Sequence, residues 1–316
     1  MESSRGRRGR RRARPSRRRP LLYTALAVVA VTGVTAGGTV YVKARAHPGT
    51  AAVSSAATPS ASSLAGASEE ASVTEPAVDR DALLNEAMGA VSVPSGAEVS
   101  AAVLAVGSGE SAGYGEAAFD TASIVKVDIL AALLLQAQDA GRRLTATEQA
   151  YATRMIENSD NESATELWHT IGRAAGLDAA NKRFGLTATS GGDGELWGLT
   201  QTTAADQLVL LQQVFGKDSE LSADSRTYVQ GLMTSVETDQ RWGVSAVADD
   251  NSWALKNGWL ARSTTGLWDV NSIGRVAVDG TDYLVAVLSK GTRTQDKGIA
   301  LVEAAAKAAV SAFAGK

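Results

Sequence analysis

The stretch FDTASIVK at residues 119–126 places Ser123 and Lys126 three positions apart, and an apolar run continues from it to Leu135. Positions i and i+3 share one face of an α-helix, so a helix opened by Ser123 would direct the Lys126 amine toward the hydroxyl. A serine needs a base before it can attack a carbonyl, and a lysine with a lowered pKa can serve. The same pattern is typical of a capped surface helix, so its interpretation depends on the rest of the chain.

The composition excludes several kinds of site. The chain has 316 residues, of which 44% are apolar, which is enough for one large domain with additions or for two domains. It contains no cysteine, which excludes disulfides, thiolate metal sites and cysteine nucleophiles. Only His47 and His169 are present, so a Ser-His-Asp triad or a histidine-rich metal site is poorly supported. No phosphate-binding loop or dinucleotide motif is found either, and no cofactor is expected.

Charge is distributed unevenly along the chain. Residues 1–20 hold ten arginines and one glutamate, whereas the whole chain has a net charge of −3. A basic tail on an acidic body indicates two environments rather than one nucleic-acid-binding protein. We therefore expect no nucleic-acid partner.

Residues 21–42 form an uncharged segment of 22 residues, long enough to span a bilayer core of roughly 30 Å. The preceding cationic residues predict a cytoplasmic N-terminus. Two interpretations remain open: an uncleaved signal anchor, which the length favours, or a signal peptide cut after residues 44–46, which would give a secreted protein. The predicted order is a cytoplasmic tail (1–20), a transmembrane anchor (21–42), an Ala/Ser/Thr-rich linker (43–77) and an extracytoplasmic domain (78–316), expected to be monomeric.

The hydrophobic pattern of residues 78–316 predicts an α/β (α+β) fold. A helix is expected at 79–90, strands at 98–107 and around Tyr114, a helical block up to Val236, strands at 253–259, 267–278 and 283–288, and a closing helix at 295–313. Strands from both ends of the domain can join one five-stranded antiparallel sheet flanked by helices, while the helical block forms an all-α lobe. The active site is expected in the cleft between them.

Two further short motifs follow Ser123 and Lys126. Ser159-Asp160-Asn161 lies in a loop before a predicted helix, where Asp and Asn are common helix caps. Lys256-Asn257-Gly258 lies on a predicted strand, where a lysine often serves only to keep an edge strand soluble. The glycine beside it indicates close approach by another group, because glycine otherwise weakens a strand.

In this order the three motifs resemble the active site of the penicillin-recognising serine hydrolases, most closely the class A β-lactamases. That family carries Ser-x-x-Lys, Ser-Asp-Asn and Lys-Thr-Gly. The first two motifs match fully, and the third departs from the pattern at Asn257. The resemblance covers residues 79–314 and, with the predicted anchor, suggests a membrane-anchored member of actinobacterial type.

The resemblance implies a role for each matching residue. Ser123 would be the nucleophile, Lys126 its base, Ser159 a proton shuttle to the leaving nitrogen, and Lys256 an attractor of the substrate carboxylate that also tunes Ser159. Asn161 would hold the substrate's side-chain amide.

The remaining predicted positions would bind the substrate backbone. The N–H groups of Ser123 and Trp259 would form the oxyanion hole, and Gly258 would let the substrate lie against the strand. Asn257 would donate a hydrogen bond to the substrate carboxylate with altered geometry. Trp197 and Trp259 are expected to flank the cleft.

One family feature is missing. Class A β-lactamases activate the deacylating water with a glutamate in a Glu-x-x-Leu-Asn pattern, and no such pattern occurs between Asn161 and Thr200. Glu195 and Asp193 are the candidates for this base, unless they are only solvated carboxylates of a glycine-rich loop. An acyl-enzyme is therefore expected to persist.

These features predict a serine hydrolase that acts on β-lactams or D-Ala-D-Ala peptides and deacylates slowly. Two alternatives stay open. The first is an esterase or amidase on the same scaffold, to which the change at Asn257 points. The second is a cell-wall or penicillin-sensing domain that binds without turnover.

Overall fold

The structure, a computed structural model, describes residues 78–313. The predicted tail, membrane anchor and linker lie outside these residues. Between residues 78 and 313, no helix has both the length and the apolar character that a bilayer span requires.

The described part follows the predicted order of helices and strands, with two short additional strands, Phe119–Asp120 and Gln201–Thr202. The helices are α1 (Arg80–Gly89), α2 (Val125–Asp139), α3 (Ala146–Glu157), α4 (Asn161–Ile171), α5 (Arg173–Phe184), α6 (Ala204–Phe215), α7 (Ala223–Thr234) and α8 (Gln295–Ser311). The strands are β1 (Glu98–Ala105), β2 (Ser111–Tyr114), β3 (Phe119–Asp120), β4 (Gln201–Thr202), β5 (Trp253–Ala261), β6 (Trp268–Val278) and β7 (Thr281–Thr292).

The predicted five-stranded antiparallel sheet is confirmed. Its strand order is β2-β1-β7-β6-β5, so strands from both ends of the domain pair at its centre and β5 forms one edge. Strands β3 and β4 pair separately as a short antiparallel ribbon. The sequence did not reveal this ribbon, because two-residue strands carry no periodic signal.

Both faces of the sheet are buried, as its central strands show. Ala101 and Val103 of β1 pack with α1 and α8, whereas Ala102 and Leu104 pack with the helical block. This division follows from the alternation of side chains along a strand. The sheet therefore packs against α1 and α8 on one face and against the predicted all-α lobe on the other.

Helix α2 is the central helix of that lobe. Every residue from Val125 to Leu135 is buried, which explains why the run following Ser123 is apolar on all sides rather than amphipathic. The helix is preceded by a 3₁₀ turn, Ala122–Ile124, so Ser123 lies in the turn and not in the first α-helical turn. Ala122 has a φ of 47°, a strained conformation for a residue with a Cβ.

Several helix ends follow capping chemistry. Thr145 and Glu148 form a capping box at the start of α3. Helix α4 begins at Asn161, inside the second motif, because the Asp160 carboxylate accepts a hydrogen bond from Ser163 N. Helices α4 and α5 are separated only by Gly172, with a φ of 94°.

The core beneath α2 contains an acid, Asp128, that is only 1% exposed. Its Oδ2 accepts a hydrogen bond from Asn181 Nδ2 at 3.1 Å, while Asp128 Oδ1 and Asn181 Oδ1 have no partner in the described residues. Burial raises the pKa of this carboxyl to about 7, and Asp178 and Asp206 also raise it, whereas the Asn181 hydrogen bond lowers it. A proton on Asp128 Oδ1 could be donated to Asn181 Oδ1, pairing both free oxygens.

Replacing Asp128 with asparagine is expected to remove a pH-dependent loss of stability. In the native state Asp128 stays protonated at pH values above the ordinary pKa of an aspartate, whereas in the unfolded state it is ionised. The free energy of unfolding therefore falls by about 1.4 kcal/mol per pH unit as the pH rises from roughly 4 to 7. An asparagine stays neutral and can form the same two-bond pair with Asn181. Urea unfolding of both proteins from pH 4 to 8 measures the difference, and parallel stability curves would contradict the expectation.

Candidate active site

Ser123 is held at the edge of the cleft by contacts of its neighbours. Thr121 N donates to Thr200 O at 2.9 Å, and Asn271 Nδ2 on β6 donates to the carbonyl oxygens of Asp120 (2.9 Å) and Thr121 (3.0 Å). The Ser123 side chain itself is half-buried, so a substrate can reach it. Sequence reasoning did not identify Asn271, because a buried asparagine on a strand belongs to no motif.

Lys126 is fully buried one helical turn beyond Ser123. Its Nζ donates to Ser159 O at 2.6 Å, Ser159 Oγ at 3.0 Å and Asn161 Oδ1 at 2.8 Å. Burial lowers the pKa of this amine to about 7, against the opposing charge of Asp160. A pKa of about 7 makes the neutral form of this amine accessible near physiological pH.

Ser159 joins the two buried lysines. Its Oγ lies 3.0 Å from Lys126 Nζ and 3.0 Å from Lys256 Nζ. The residue has a φ of 55°, and the following Asp160 caps α4, so the hydroxyl is presented by a strained turn at a helix start. The motif therefore supplies the predicted helix cap, Asp160, and places Ser159 beside both lysines.

Lys256 reaches this hydroxyl from the opposite side of the cleft. It lies on edge strand β5, is fully buried, and also donates to Asn257 O at 2.9 Å and Gln240 Oε1 at 3.4 Å. Burial lowers the pKa of Lys256 well below its usual range, and the positive charge of Lys126 lowers it further. The two amines face one hydroxyl, so their protonation states are coupled.

Gly258 allows β5 to lie directly against the 3₁₀ turn Ala122–Ile124, called the nucleophile turn below after the predicted role of Ser123. A Cβ on this residue would lie 2.7 Å from Ser123 N, 2.8 Å from Ile124 N and 2.8 Å from Thr121 O. The predicted close approach to Gly258 is therefore made by the protein's own backbone. The approach brings the backbone of Trp259, the next residue of the edge strand, near Ser123.

Asn257 is arranged differently from the expectation. Its side chain is fully buried, and Nδ2 donates to Gln240 O at 2.7 Å and Trp242 O at 2.9 Å. Both amide hydrogens are occupied, so neither is free for a substrate carboxylate. The predicted substrate contact of Asn257 is corrected: the side chain points toward the preceding segment of the chain because neighbouring strand residues alternate in direction.

Glu195 is also placed differently. Its exposed carboxylate pairs with His169 Nε2 at 2.6 Å and Arg173 Nη2 at 2.9 Å, and the His169 hydrogen bond holds the pKa of Glu195 below its usual range. It makes no hydrogen bond to Ser123 or Lys126. This geometry does not suit the predicted deacylation base. Asp193, the second candidate, is exposed on the same loop.

The loop residue that faces the buried amine is Trp197. The Lys126 Nζ lies 5.0 Å from the centroid of its ring, and Trp197 Nε1 donates to Thr165 Oγ1 at 3.1 Å. Trp197 therefore flanks the cleft, as predicted, and contributes an apolar aromatic surface beside Lys126. Beyond it, a cavity of about 530 Å³ extends between this loop and the end of β5.

The structure therefore brings Ser123, Lys126, Ser159, Asn161 and Lys256 to one cleft between β5 and the helical lobe, with Gly258 and Trp259 along its wall. Within residues 78–313, no group of three or more histidine, aspartate or glutamate side chains is arranged to hold a metal ion. The chemistry available at this cleft is nucleophilic attack by a hydroxyl beside amines of lowered pKa.

Solved structures show the same fold at low sequence identity. PBP-A is 20% identical over 73% of this chain and 96% of its own, with a TM-score of 0.63, and a PBP-A mutant has been solved as an acyl-enzyme complex with penicillin G. A class A beta-lactamase from Bacteroides cellulosilyticus is 17% identical over 74% of this chain and 98% of its own, with a TM-score of 0.62. The TLA-1 extended-spectrum beta-lactamase is 14% identical over 75% and 98%, with a TM-score of 0.64.

Sequence comparison identifies the family. No curated protein sequence matches the chain. A family model described as the beta-lactamase enzyme family matches residues 138–313, more than half of the chain. The matched range contains the second and third motifs, and the fold places the first motif beside them. The chain belongs to the beta-lactamase enzyme family.

Proposed function

We propose that the protein is an acyl-serine hydrolase that acts on β-lactams or D-Ala-D-Ala peptides through Ser123 and deacylates slowly. The observation that carries the proposal is the Ser159 hydroxyl, which two buried lysines share at 3.0 Å each beside the nucleophile turn. Structural lysines rarely lose all exposure, and a buried amine of lowered pKa is suited to proton transfer. The penicillin acyl-enzyme of the PBP-A mutant supports a β-lactam as acyl donor.

Acylation begins when neutral Lys126 accepts the proton of Ser123 Oγ as that oxygen attacks the substrate carbonyl carbon. The N–H groups of Ser123 and Trp259 stabilise the resulting oxyanion. When the C–N bond breaks, the Ser159 hydroxyl gives its proton to the leaving nitrogen and recovers one from Lys126 Nζ, 3.0 Å away. Lys126 is then neutral again, and the acyl group remains as an ester on Ser123.

Hydrolysis of that ester needs an activated water. The carboxylate of Glu195 is occupied by His169 and Arg173, and the loop side chain whose ring lies 5.0 Å from Lys126 Nζ is the Trp197 indole, which cannot accept a proton. These contacts support slow deacylation. The protein would then behave as a penicillin-binding peptidase or as a very slow β-lactamase.

Intact-mass measurements after addition of benzylpenicillin test this function. The expected result is a mass gain equal to the drug that appears rapidly, persists for hours and is absent in Ser123→Ala. A transient adduct with continuous loss of drug would show efficient deacylation and contradict that part of the proposal. Absence of any adduct, with turnover of simple esters or amides, would replace the proposal with an esterase or amidase.

Replacing Trp197 with glutamate is expected to shorten the life of the acyl-enzyme. The new carboxylate would lie near Lys126 and could activate water. We expect deacylation to accelerate by about tenfold, less than the hundredfold or more of an optimised general base. The half-life of the penicillin adduct, measured after removal of free drug, gives this rate separately from acylation.

Trp197→Gln is the matched control because it opens the same space without a base. Faster deacylation in the glutamate variant alone supports the mechanism. Equal acceleration in both variants would mean that the indole merely excludes water.

We further propose that residues 21–42 anchor the enzyme in the cell membrane with residues 78–316 outside. The proposal is supported by the 22 uncharged residues and the ten arginines before them. Alkaline extraction of membranes should leave the full-length chain in the pellet and release a chain that begins at residue 43. Release of the full-length chain would contradict anchoring and favour a cleaved, secreted form.

A further inference from the structure

Asn257, the middle residue of the third motif, donates two hydrogen bonds, whereas a hydroxyl residue could donate only one. Its single amide group donates hydrogen bonds to two carbonyl oxygens, Gln240 O and Trp242 O, at 2.7 and 2.9 Å. A serine or threonine has one hydroxyl hydrogen and could hold only one of them. The departure from the family pattern thus coincides with a two-point attachment of residues 240–242 to β5.

Both attached residues also touch the catalytic cleft. The side chain of Gln240 is buried, and its Oε1 accepts a hydrogen bond from Lys256 Nζ. The Trp242 ring packs against the ring of Trp259, with centroids 5.9 Å apart. The segment therefore connects Asn257 with the lysine that binds Ser159 and with the residue proposed to donate to the oxyanion.

A second attachment holds the same segment at its far end. Ser272 Oγ on β6 accepts a hydrogen bond from Val244 N at 2.9 Å. Gly243 lies between the two attachments with a φ of 80°, and a Cβ there would lie 2.3 Å from Ser272 Oγ. Gly243 N also donates to Glu303 Oε1 at 3.3 Å. The Asn257 amide holds the two residues that contact the cleft, whereas Ser272 and Glu303 hold the residues that follow them.

We propose that Asn257 is a positioning residue for acylation, holding the Gln240 and Trp242 carbonyls so that Gln240 orients Lys256 and Trp242 supports Trp259. The inference rests on the proposed function. Asn257 touches no reacting atom; it keeps Lys256 Nζ aligned with Ser159 Oγ, from which the leaving nitrogen receives its proton. Loss of one attachment lets residues 240–242 move away from the strand, and proton delivery slows.

Asn257→Thr tests this assignment because threonine suits a strand and keeps one of the two donors. We expect the acylation rate constant at saturating penicillin to fall by about tenfold, as for loss of one buried hydrogen bond, while the apparent affinity changes little. The pH at which the rate is half-maximal should also shift, since Lys256 is coupled to Lys126. Ser272→Ala is the matched control: it removes the hydrogen bond to Val244 N, leaves the Asn257 hydrogen bonds in place, and should keep the wild-type rate and pH profile.

Gln240→Ala provides a second route if the threonine variant unfolds. It should lower the rate similarly, and the double variant Asn257→Thr/Gln240→Ala should be no slower than the slower single variant, because both changes act through one contact.

A folded Asn257→Thr protein with the wild-type rate would overturn the inference. A change confined to affinity would also overturn it and show that Asn257 contacts the substrate. If the effects of Asn257→Thr and Gln240→Ala on the rate are fully additive in the double variant, Asn257 does not act through Gln240, and that part of the inference is overturned. Absence of acylation in the wild type would refute the proposed function and this inference with it.

Discussion

Replacing Lys126 with alanine is expected to slow acylation of Ser123 by about a thousandfold, within the range that one general base contributes. The reason is structural: Lys126 lies in the first turn of α2, directly after the 3₁₀ turn that carries Ser123, and its Nζ lies 3.0 Å from Ser159 Oγ. Without it, Ser123 loses its proton acceptor and Ser159 loses its proton source. The measurement is the rate of covalent labelling by a fluorescent penicillin, followed by gel or intact mass.

The pH dependence distinguishes a base from a structural lysine. Burial lowers the pKa of Lys126 to about 7, and only the neutral amine can accept a proton. The wild-type rate should therefore rise about tenfold per pH unit below pH 7 and level off above it. Lys126→Arg keeps the positive charge but stays protonated, so it should be as slow as the alanine variant.

A Lys126→Arg variant with the wild-type rate would contradict the assignment of Lys126 as the base, because residue 126 would then act through its positive charge alone. Equal rates in wild type and Lys126→Ala would assign the base to another group. Lys256 would be the first candidate, since burial also lowers its pKa.

Much of the fold could be predicted because its strongest signals are local. The buried run after Ser123 became α2, the strands at both ends of the domain paired in one sheet, and Thr145 began α3 with a capping box. Each of these features depends on hydrophobic periodicity or on hydrogen bonds between near neighbours. The family resemblance carried by the three motifs then implied that Ser123, Lys126, Ser159 and Lys256 share one cleft.

What could not be predicted depends on contacts between distant parts of the chain. The occupied amide of Asn257 follows from the path of residues 240–242, which curve back over β5. The pairing of Glu195 with His169 and Arg173 follows from the short connection between α4 and α5. A motif names residue types, but the direction of a strand side chain or the register of a loop is fixed by tertiary packing.

Replacing Gly258 with alanine is expected to lower the acylation rate by about a hundredfold, comparable to the loss of one oxyanion-hole donor. The added Cβ would lie 2.7 Å from Ser123 N and within 2.8 Å of Ile124 N and Thr121 O. These are backbone atoms of a turn that Thr200 O and the Asn271 side chain of β6 hold in place, so they cannot move aside as a flexible side chain would. Strand β5 must shift instead, and the N–H of Trp259 moves with it.

The matched control is Gly113→Ala, which makes the same change on β2, the opposite edge of the sheet, where no atom lies within 4 Å of the new Cβ. Thermal unfolding of both variants should show intact folding, because the sheet pairs β5 with β6 independently of the turn. A loss of rate confined to Gly258→Ala places the oxyanion between the nucleophile turn and β5. A Gly258→Ala protein that acylates at the wild-type rate would mean that these two backbone segments do not form the oxyanion hole, and another pair of donors would have to stabilise the charge.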